Sequence, residues 1–313
     1  MKRIKKLGQA KKETKKIREE KLEEFEGFVS GHNACAGCGA AIAMRHIARV
    51  AGRNSIISIA TGCMEVVSTS YPLTAWKLPL IHSAFENAAA TASGIDAALR
   101  HLNKKTNVIA IAGDGGTFDI GFQALSGAIE RNQNFLFICY DNEAYMNTGI
   151  QRSGSTPRFT ETTTSPYGRV LHGKLEWKKQ MPFIVAAHGC YSATASIAFL
   201  SDFHAKIKKA LAIPGPKFIS VLAPCTIGWK IQNSDAIEIS RLAVQTGIFP
   251  LYEVENGTVK LNFDIKSRPV SEYLKRQGRF EHLNDREIRE VQKKVDEIYG
   301  RIKNLSNLQI KIF

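Results

Sequence analysis

The chain of 313 residues is long enough for one large domain or for a domain with additional segments. It contains 44% apolar and 23% charged residues, ordinary for a globular protein, and no run of about 18 apolar residues predicts a membrane span. The formal charge is +14, and residues 1–24 hold ten Lys or Arg against five Glu. Because charge begins at Lys2 and no apolar leader follows, we expect a cytoplasmic protein with no membrane partner.

Residues 1–27 form a charged N-terminal arm with two competing interpretations. A basic arm can bind nucleic acid or an acidic protein. A solvated helix, supported by Glu–Lys pairs at helical spacing, is the alternative. We favour the solvated helix and expect no nucleic-acid partner, because no aromatic residues interleave the charges of residues 1–24 as stacking on single strands requires.

Short apolar segments alternate with helical patterns from residue 28 to residue 245. Strands are predicted at 55–60, 108–112, 135–140 and 218–222, helices at 40–50, 84–102, 122–131 and 193–211, and segment 183–187 completes the alternation. The strands lack alternating polarity, as expected when both faces of a sheet are covered. The pattern predicts an α/β fold with a doubly wound, mostly parallel sheet and helices on both faces. Residues 246–313 read as a C-terminal extension, charged and helical in pattern beyond residue 267.

Glycines and oxygen-bearing residues follow two of these strands. Gly-Asp-Gly-Gly at 113–116 follows the strand at 108–112, and Asp141-Asn142 follows the strand at 135–140. The 25 residues from 116 to 140, between Gly115 and Asp141, hold one helix and one strand, so both motifs reach the edge where open α/β sheets bind ligands. Glycine admits phosphate, and Asp114, Asn142 and a carbonyl such as that of Ala144 suit Mg²⁺. A magnesium-diphosphate site is predicted, and a helix N-cap role of Asp114 is compatible with metal binding.

The six cysteines are Cys35, Cys38, Cys63, Cys139, Cys190 and Cys225. A disulfide framework is not expected in a cytoplasmic chain of this size. The Cys-x-x-Cys pair at 35–38 and the thiols at 63 and 225 lie in predicted loops and suffice for a [4Fe–4S] cluster. A zinc knot is the alternative for Cys-x-x-Cys. Cys139 is expected to be a buried apolar residue of a strand. Cys190 has no other cysteine at a spacing that would indicate a shared metal site.

Five ordered motifs connect the chain to a known family. They are GHNACAGCG at 31–39, ATGCMEV at 60–66, HSAFEN at 82–87, GDGGTFDIG at 113–121 and YDNEAYMNTGIQRSGSTP at 140–157. Over nearly its whole length the chain resembles the thiamine-diphosphate-binding beta subunits of 2-oxoacid:ferredoxin oxidoreductases. In the thiamine motif of Gly-Asp-Gly followed by Asn-Asn, Asp141 replaces the first Asn, and the metal-facing Asn142 is kept.

The resemblance implies three cofactors: thiamine diphosphate, Mg²⁺ and a [4Fe–4S] cluster. It implies that the cluster ligands are Cys35, Cys38, Cys63 and Cys225, and that the magnesium ligands are Asp114, Asn142 and the Ala144 carbonyl. The residues that it places around thiamine diphosphate are Gly113, Asp114, Gly115, Gly116, Asn142, Ala144, Tyr145, Asn147, Thr148 and Cys63. Among them Asn147 is the residue expected to face the reacting carbon and to act in catalysis.

The resemblance also implies an activity. A 2-oxoacid, with pyruvate favoured, is decarboxylated oxidatively to its coenzyme A ester, or formed by the reverse reaction, while single electrons pass through the cluster to ferredoxin. Alpha, gamma and delta-type subunits are the expected partners. The carboxylate that activates the pyrimidine ring is expected on another subunit, although Glu65 and Glu86 are candidates here. His32 and His82 receive no role.

Three alternatives remain open at this point. The substrate could be a branched-chain 2-oxoacid such as 2-oxoisovalerate. A thiamine enzyme without electron transfer could hold zinc on the cysteines. A basic nucleic-acid-binding protein with a zinc knot is the least favoured, because it leaves the paired diphosphate motif unexplained.

Overall fold

The computed structural model describes residues 25–313, so residues 1–24 of the predicted arm lie outside the described part. The strands are β1 (Ser55–Ala60), β2 (Leu80–Ser83), β3 (Asn107–Gly113), β4 (Leu136–Asp141), β5 (Tyr191–Ser196), β6 (Lys217–Leu222), β7 (Tyr252–Glu255) and β8 (Thr258–Leu261). The helices are α1 (Gly39–Ala51), α2 (Cys63–Ser68), α3 (Ala88–His101), α4 (Phe122–Glu130), α5 (Met181–Ala186), α6 (Leu200–Ala212), α7 (Ala236–Gln245), α8 (Val270–Leu274) and α9 (Asp285–Leu308). A π-helical turn at Gly115–Asp119 links β3 to the segment before α4.

These strands form one sheet in the order β2-β1-β3-β4-β6-β5-β7-β8. The pairs among β1 to β6 are parallel, whereas β7 pairs antiparallel with β5 and β8 antiparallel with β7. Parallel neighbours require crossover connections, which helices supply here. The predicted doubly wound, mostly parallel α/β fold is confirmed.

Two apolar cores cover the two faces of the sheet. On β3, Ile109 and Ile111 point into one core, and Val108, Ala110 and Ala112 point into the other. Helices α1 and α6 cover the first face, and α3, α4 and α5 cover the second. Because both faces are buried, both alternating sets of strand side chains are apolar, which explains the missing polarity pattern.

The structure corrects several predicted elements. Segment 183–187 lies in helix α5, and the predicted helix from residue 193 begins only at Leu200, because Tyr191–Ser196 forms the buried strand β5. The small side chains of β5 carry little intrinsic strand preference, and burial between β6 and β7 determines its conformation. Edge strand β2 was not predicted.

The predicted C-terminal extension contributes to the same sheet. Residues 252–261 form the β7–β8 hairpin, which packs beside β5, and helix α9 follows. Helix α9 begins with a capping box. The Asn284 side chain accepts a hydrogen bond from the backbone N–H of Glu287, and the Glu287 carboxylate accepts one from the backbone N–H of Asn284. No helix within residues 25–313 is long and apolar enough to cross a bilayer.

Candidate active site

The candidate site lies at the carboxyl ends of four neighbouring strands. Strands β1, β3, β4 and β6 are adjacent in the sheet and end side by side. Thr61 follows β1, Asp114 follows β3, Asn142 follows β4 and Cys225 lies three residues after β6. The two parts of the predicted diphosphate motif therefore meet at one edge of the sheet, as the open α/β architecture requires.

Three oxygen atoms converge at this edge. The side-chain oxygen of Asn142 faces only acceptors, and an atom at that position lies 2.8 Å from the Ala144 carbonyl oxygen and 2.9 Å from Asp114 Oδ1. If the Asn142 side-chain amide were turned over, its NH₂ group would donate to the Ala144 carbonyl oxygen and to Asp114 Oδ1. A cation bound between these groups would instead favour the present orientation, with the Asn142 oxygen facing them. Neighbouring ligands of octahedral Mg²⁺ lie about 2.9 Å apart, given metal–oxygen distances of 2.0–2.1 Å. The donor set and its spacing fit Mg²⁺.

Asp114 is held by the loop that follows Asn142. Its Oδ2 accepts a hydrogen bond from the Ser153 hydroxyl at 2.5 Å, and the carboxylate is almost completely buried. Burial and the nearby charge of Asp141 raise the pKa of Asp114 well above its ordinary value. Asp114 occupies the N-cap position of the π-helical turn at Gly115–Asp119, but its side chain makes no capping hydrogen bond there. A buried carboxylate of this kind gains most from a bound cation.

Alternate side chains after β4 point in different directions. Asn142 and Ala144 face the candidate magnesium site, whereas Asp141 and Glu143 enter a buried ionic network. Lys178 Nζ lies 2.7 Å from Asp141 Oδ2 and 2.9 Å from Glu143 Oε1. Asp141, at the position where the thiamine motif has Asn, therefore stabilises the turn from the side that faces away from the candidate magnesium site.

Arg279 completes this network from the C-terminal part of the chain. Its guanidinium donates to Glu143 Oε2 at 2.6 Å and lies 3.8 Å from the centre of the Trp229 ring. Trp229 Nε1 in turn donates to the Asn142 backbone oxygen at 2.7 Å. Burial opposes ionisation of Glu143, but the charges of Lys178 and Arg279 outweigh it and lower the pKa of Glu143. The network fixes the backbone that presents Asn142.

A cavity of about 230 Å³ opens above these oxygens. The predicted cofactor residues that line it are Cys63, Gly113, Asp114, Gly115, Asn142, Ala144, Tyr145, Asn147 and Thr148, and Thr61, Gly62, Phe85, Tyr140 and Met146 complete its wall. Gly116 does not line it. At Gly115 a Cβ atom would lie 2.3 Å from Tyr145 Cε1, so the close approach of the Tyr145 ring requires glycine there.

A second cavity, of about 370 Å³, brings together the four predicted cluster cysteines. Cys35 is exposed, while Cys38, Cys63 and Cys225 are partly buried. Burial raises the pKa of all three partly buried thiols, that of Cys63 to about 12. As thiolates these groups therefore need a strongly cationic partner. Cys139 is buried in β4, as predicted.

The two cavities share a wall. Cys63, Asn142, Met146 and Asn147 line both of them. A group held by the thiols would therefore lie directly beside a group held by Asp114 and Asn142. Within residues 25–313, no three Cys, His, Asp or Glu side chains converge closely enough to bind a single metal ion. The four thiols line the second cavity together.

Comparison with known proteins agrees with this architecture. Residues 60–221 match the family model for the C-terminal TPP-binding domain of thiamine pyrophosphate enzymes. Pyruvate synthase subunit PorB of Methanocaldococcus jannaschii is 58% identical over 282 residues, which cover 87% of this chain and 95% of that protein. The chain belongs to the family of thiamine-diphosphate-binding beta subunits of 2-oxoacid:ferredoxin oxidoreductases.

The family includes proteins named for different substrates. Ketoisovalerate oxidoreductase subunit VorB of Pyrococcus abyssi is 46% identical over 293 residues, which cover 90% of this chain and 94% of that protein. A solved 2-oxoglutarate:ferredoxin oxidoreductase from Magnetococcus marinus is 20% identical, with a TM-score of 0.54 over 71% of this chain and 82% of that chain. That likeness supports the fold of the family.

The residues that sequence reasoning missed are those that support the site. They are Ser153, Ser155, Trp229, Lys178 and Arg279. Ser153 and Ser155 lie in the long segment between β4 and α5, which extends to Gln180 and reaches back under the strand ends. The length of this segment was the one signal, because long loops without secondary structure in compact domains are usually functional. Nothing in the spacing of Lys178 or Arg279 indicated their partners.

Proposed function

We propose that this chain is the thiamine-diphosphate-binding beta subunit of a pyruvate synthase. The complex would convert pyruvate and coenzyme A to acetyl-coenzyme A and CO₂, or run the reverse reaction, and exchange electrons with ferredoxin. The observation that carries the proposal is the wall shared by the oxygen-lined and the thiol-lined cavities. A one-electron acceptor next to the cofactor separates this chemistry from simple decarboxylation.

Asp114, Asn142 and the Ala144 carbonyl would hold Mg²⁺, and the glycines at 113 and 115 would admit the diphosphate. The spacing of the three oxygens supports this assignment. When bound, thiamine diphosphate supplies the electron sink for decarboxylation. Asn147 lines the cavity at its boundary with the thiols, which supports the proposed role facing the reacting carbon.

Cys35, Cys38, Cys63 and Cys225 would hold a [4Fe–4S] cluster. A single zinc ion requires four ligands at about 2.3 Å, whereas within residues 25–313 no three metal-binding side chains converge on one point. That geometry favours the cluster over the zinc alternative. The readout is metal content: an anaerobically purified complex should contain iron and inorganic sulfide at this site, and stoichiometric zinc would reject the assignment.

The site supports a heteromeric enzyme. Among the described residues that line the cofactor cavity, Asp114 is the only carboxylate, and it faces the candidate magnesium site. Glu65 and Glu86 do not line the cavity, so another subunit would supply the carboxylate for the pyrimidine ring. Alpha, gamma and delta-type subunits, ferredoxin and coenzyme A are the proposed partners.

Pyruvate is favoured over 2-oxoisovalerate because the PorB relative is 58% identical and the VorB relative 46% identical. The test is a panel of 2-oxoacids assayed with coenzyme A and a low-potential acceptor, using the complex purified anaerobically. We expect the highest kcat/KM with pyruvate. A preference for 2-oxoisovalerate would assign the complex to branched-chain substrates, and decarboxylation without acceptor reduction would reject the redox function.

A further inference from the structure

Three side chains form a hydrogen-bonded line from the cofactor cavity to the surface. Thr61, which lines the cavity, has its Oγ1 2.7 Å from His82 Nε2. On the other side of the imidazole, His82 Nδ1 lies 3.2 Å from Glu65 Oε1. Glu65 is buried, whereas the His82 side chain is 48% exposed. The line therefore connects a hydroxyl in the cavity to an imidazole in contact with solvent.

The order of the partners determines where the hydrogens lie. A carboxylate only accepts hydrogen bonds, so Glu65 holds the proton of neutral His82 on Nδ1. Nε2 is then the acceptor, and the Thr61 hydroxyl donates to it. This arrangement of carboxylate, imidazole and hydroxyl is the one that lets an imidazole take a proton from a hydroxyl.

The Thr61 hydroxyl also has a second acceptor. Its Oγ1 lies 3.1 Å from the Ser83 carbonyl oxygen. When His82 is protonated, Nε2–H donates to Thr61, and the hydroxyl hydrogen can turn to the Ser83 carbonyl. Both protonation states of His82 thus leave every polar atom of the line with a hydrogen-bond partner.

The location follows from the sheet. Thr61 is the first residue after β1, and His82 and Ser83 end the neighbouring edge strand β2. The register pairs Ile59 with His82, which places the imidazole beside the end of β1. Edge strand β2 leaves its outer side open, so His82 can reach water while Thr61 faces inward.

We propose that Thr61, His82 and Glu65 form a relay that exports a proton from the cofactor cavity to solvent. This inference rests on the proposed function. Pyruvate, coenzyme A and two oxidised ferredoxins give acetyl-coenzyme A, CO₂, two reduced ferredoxins and one proton, so one proton leaves the site in each turnover. His82 takes the Thr61 hydroxyl proton, Thr61 regains one from the cavity, and His82 releases its proton to water. The reverse reaction imports a proton along the same line.

In this relay Thr61 is the catalytic residue, and His82 and Glu65 are positioning residues that act through it. T61V removes the hydroxyl and retains the shape of the side chain. We expect it to lower kcat of the assembled complex about 100-fold, the lower range for lost proton transfer. T61S should recover most of the rate, and imidazole in solution should restore much of the rate of H82A, because the position of His82 is open to solvent.

T69V is the matched control. Thr69 Oγ1 donates to the same Glu65 Oε1 at 2.8 Å but does not line the cavity. The same Thr→Val change there should leave kcat within about twofold, because Thr69 Oγ1 shares its one hydrogen between Glu65 Oε1 and the Glu65 backbone oxygen, and both hydrogen bonds of His82 are kept. Equal losses in T61V and T69V, or an H82A complex that imidazole does not restore, would overturn the relay.

A second readout needs neither cofactor nor turnover. In the cofactor-free complex, diethyl pyrocarbonate should acylate His82 about fivefold faster in T61V than in wild type, because Nε2 loses its hydrogen bond. Peptide mass spectrometry measures the rate, and T61S and T69V should match wild type. An unchanged rate in T61V would show that Thr61 does not donate to His82. If wild type itself neither binds thiamine diphosphate nor oxidises pyruvate, the proposed function fails, and the acylation test still judges the hydrogen-bonded line.

Discussion

The two ends of the parallel strands carry buried charges of different kinds. At the carboxyl ends, Asp141, Glu143, Lys178 and Arg279 are linked in one network behind the candidate magnesium site. At the amino ends, the buried Lys217 begins β6, and its Nζ donates to the neutral side chain of Asn134 at 2.8 Å. Within residues 25–313, the network at the carboxyl ends pairs each of its buried charges with an opposite charge, whereas Lys217 at the amino ends has no ion pair at contact distance.

The difference shows where this fold uses electrostatics for function. Several paired charges at the carboxyl ends hold Asn142 and its neighbours in place, so removal of one partner leaves others buried and unpaired. Lys217 supports no site, and its burial lowers its pKa to about 8. Substitutions at the carboxyl ends should therefore cost function or stability, and those at the amino ends should cost little.

The largest effect is expected from C225A, which removes one of the four thiols around the second cavity. We expect the complex to lose about four iron atoms per beta subunit and all acceptor reduction, because a [4Fe–4S] cluster needs four ligands. Iron analysis and the visible absorbance at about 400 nm measure the loss of the cluster. C190A is the control, since Cys190 lies outside that cavity, and equal iron in both variants would reject the cluster assignment.

The next largest effect is expected from K178M, which should lower the stability of the folded chain. Without the ammonium group, Asp141 loses its only cation and Glu143 keeps only Arg279, so the free energy of unfolding should fall by about 3–5 kcal/mol. Denaturant unfolding of the chain measures the change. K217M is the matched control at the other end of the strands; with both variants compared at pH 10, where Lys217 is neutral in the folded chain, it should stay within about 1 kcal/mol. Similar losses in both variants would remove the distinction between the two ends.

D114N tests the oxygen site itself. Loss of one anionic oxygen should weaken magnesium-dependent binding of thiamine diphosphate about 100-fold, or about 3 kcal/mol, since even outer partners of a metal ligand are worth 10- to 100-fold. Titration calorimetry of the complex with the cofactor in Mg²⁺ measures the affinity. D96N serves as the control, because Asp96 is also buried but lies near the amino ends of the strands, where its carboxylate accepts a hydrogen bond from the backbone N–H of Asn134. An unchanged affinity in D114N would move the magnesium site elsewhere.

The smallest effect concerns pH and Lys217. Burial lowers the pKa of Lys217 from 10.5 to about 8, so between these values the unfolded chain holds a proton that the folded chain has lost. The free energy of unfolding should therefore rise from pH 8 to pH 10 relative to that of K217M. Unfolding of both proteins across this range gives the difference. A parallel pH dependence in the two would show that Lys217 keeps its ordinary pKa when folded.

The sequence alone determined the parts of the site that depend on local order. The sequence predicted that two motifs meet at one edge of the sheet: Gly-Asp-Gly-Gly after β3 and Asp141-Asn142 at the end of β4. They meet because parallel neighbouring strands end together. The four loop cysteines were predicted to share a site, and they line one cavity. Composition predicted the layers of the fold through β1, β3, β4 and β6, because burial on both faces makes these strands apolar, whereas β5 carries no such apolar run.

Only the tertiary structure decided which charges and hydroxyls support the site. Arg279 lies 136 residues from Glu143 along the chain, and His82 meets Thr61 through the register of β2 on β1. Hydrogen bonds and ion pairs between distant segments depend on angles and distances of a few tenths of an ångström, which no spacing in the sequence encodes. The sequence determined which groups reach the carboxyl ends of the strands, and packing determined which of them touch.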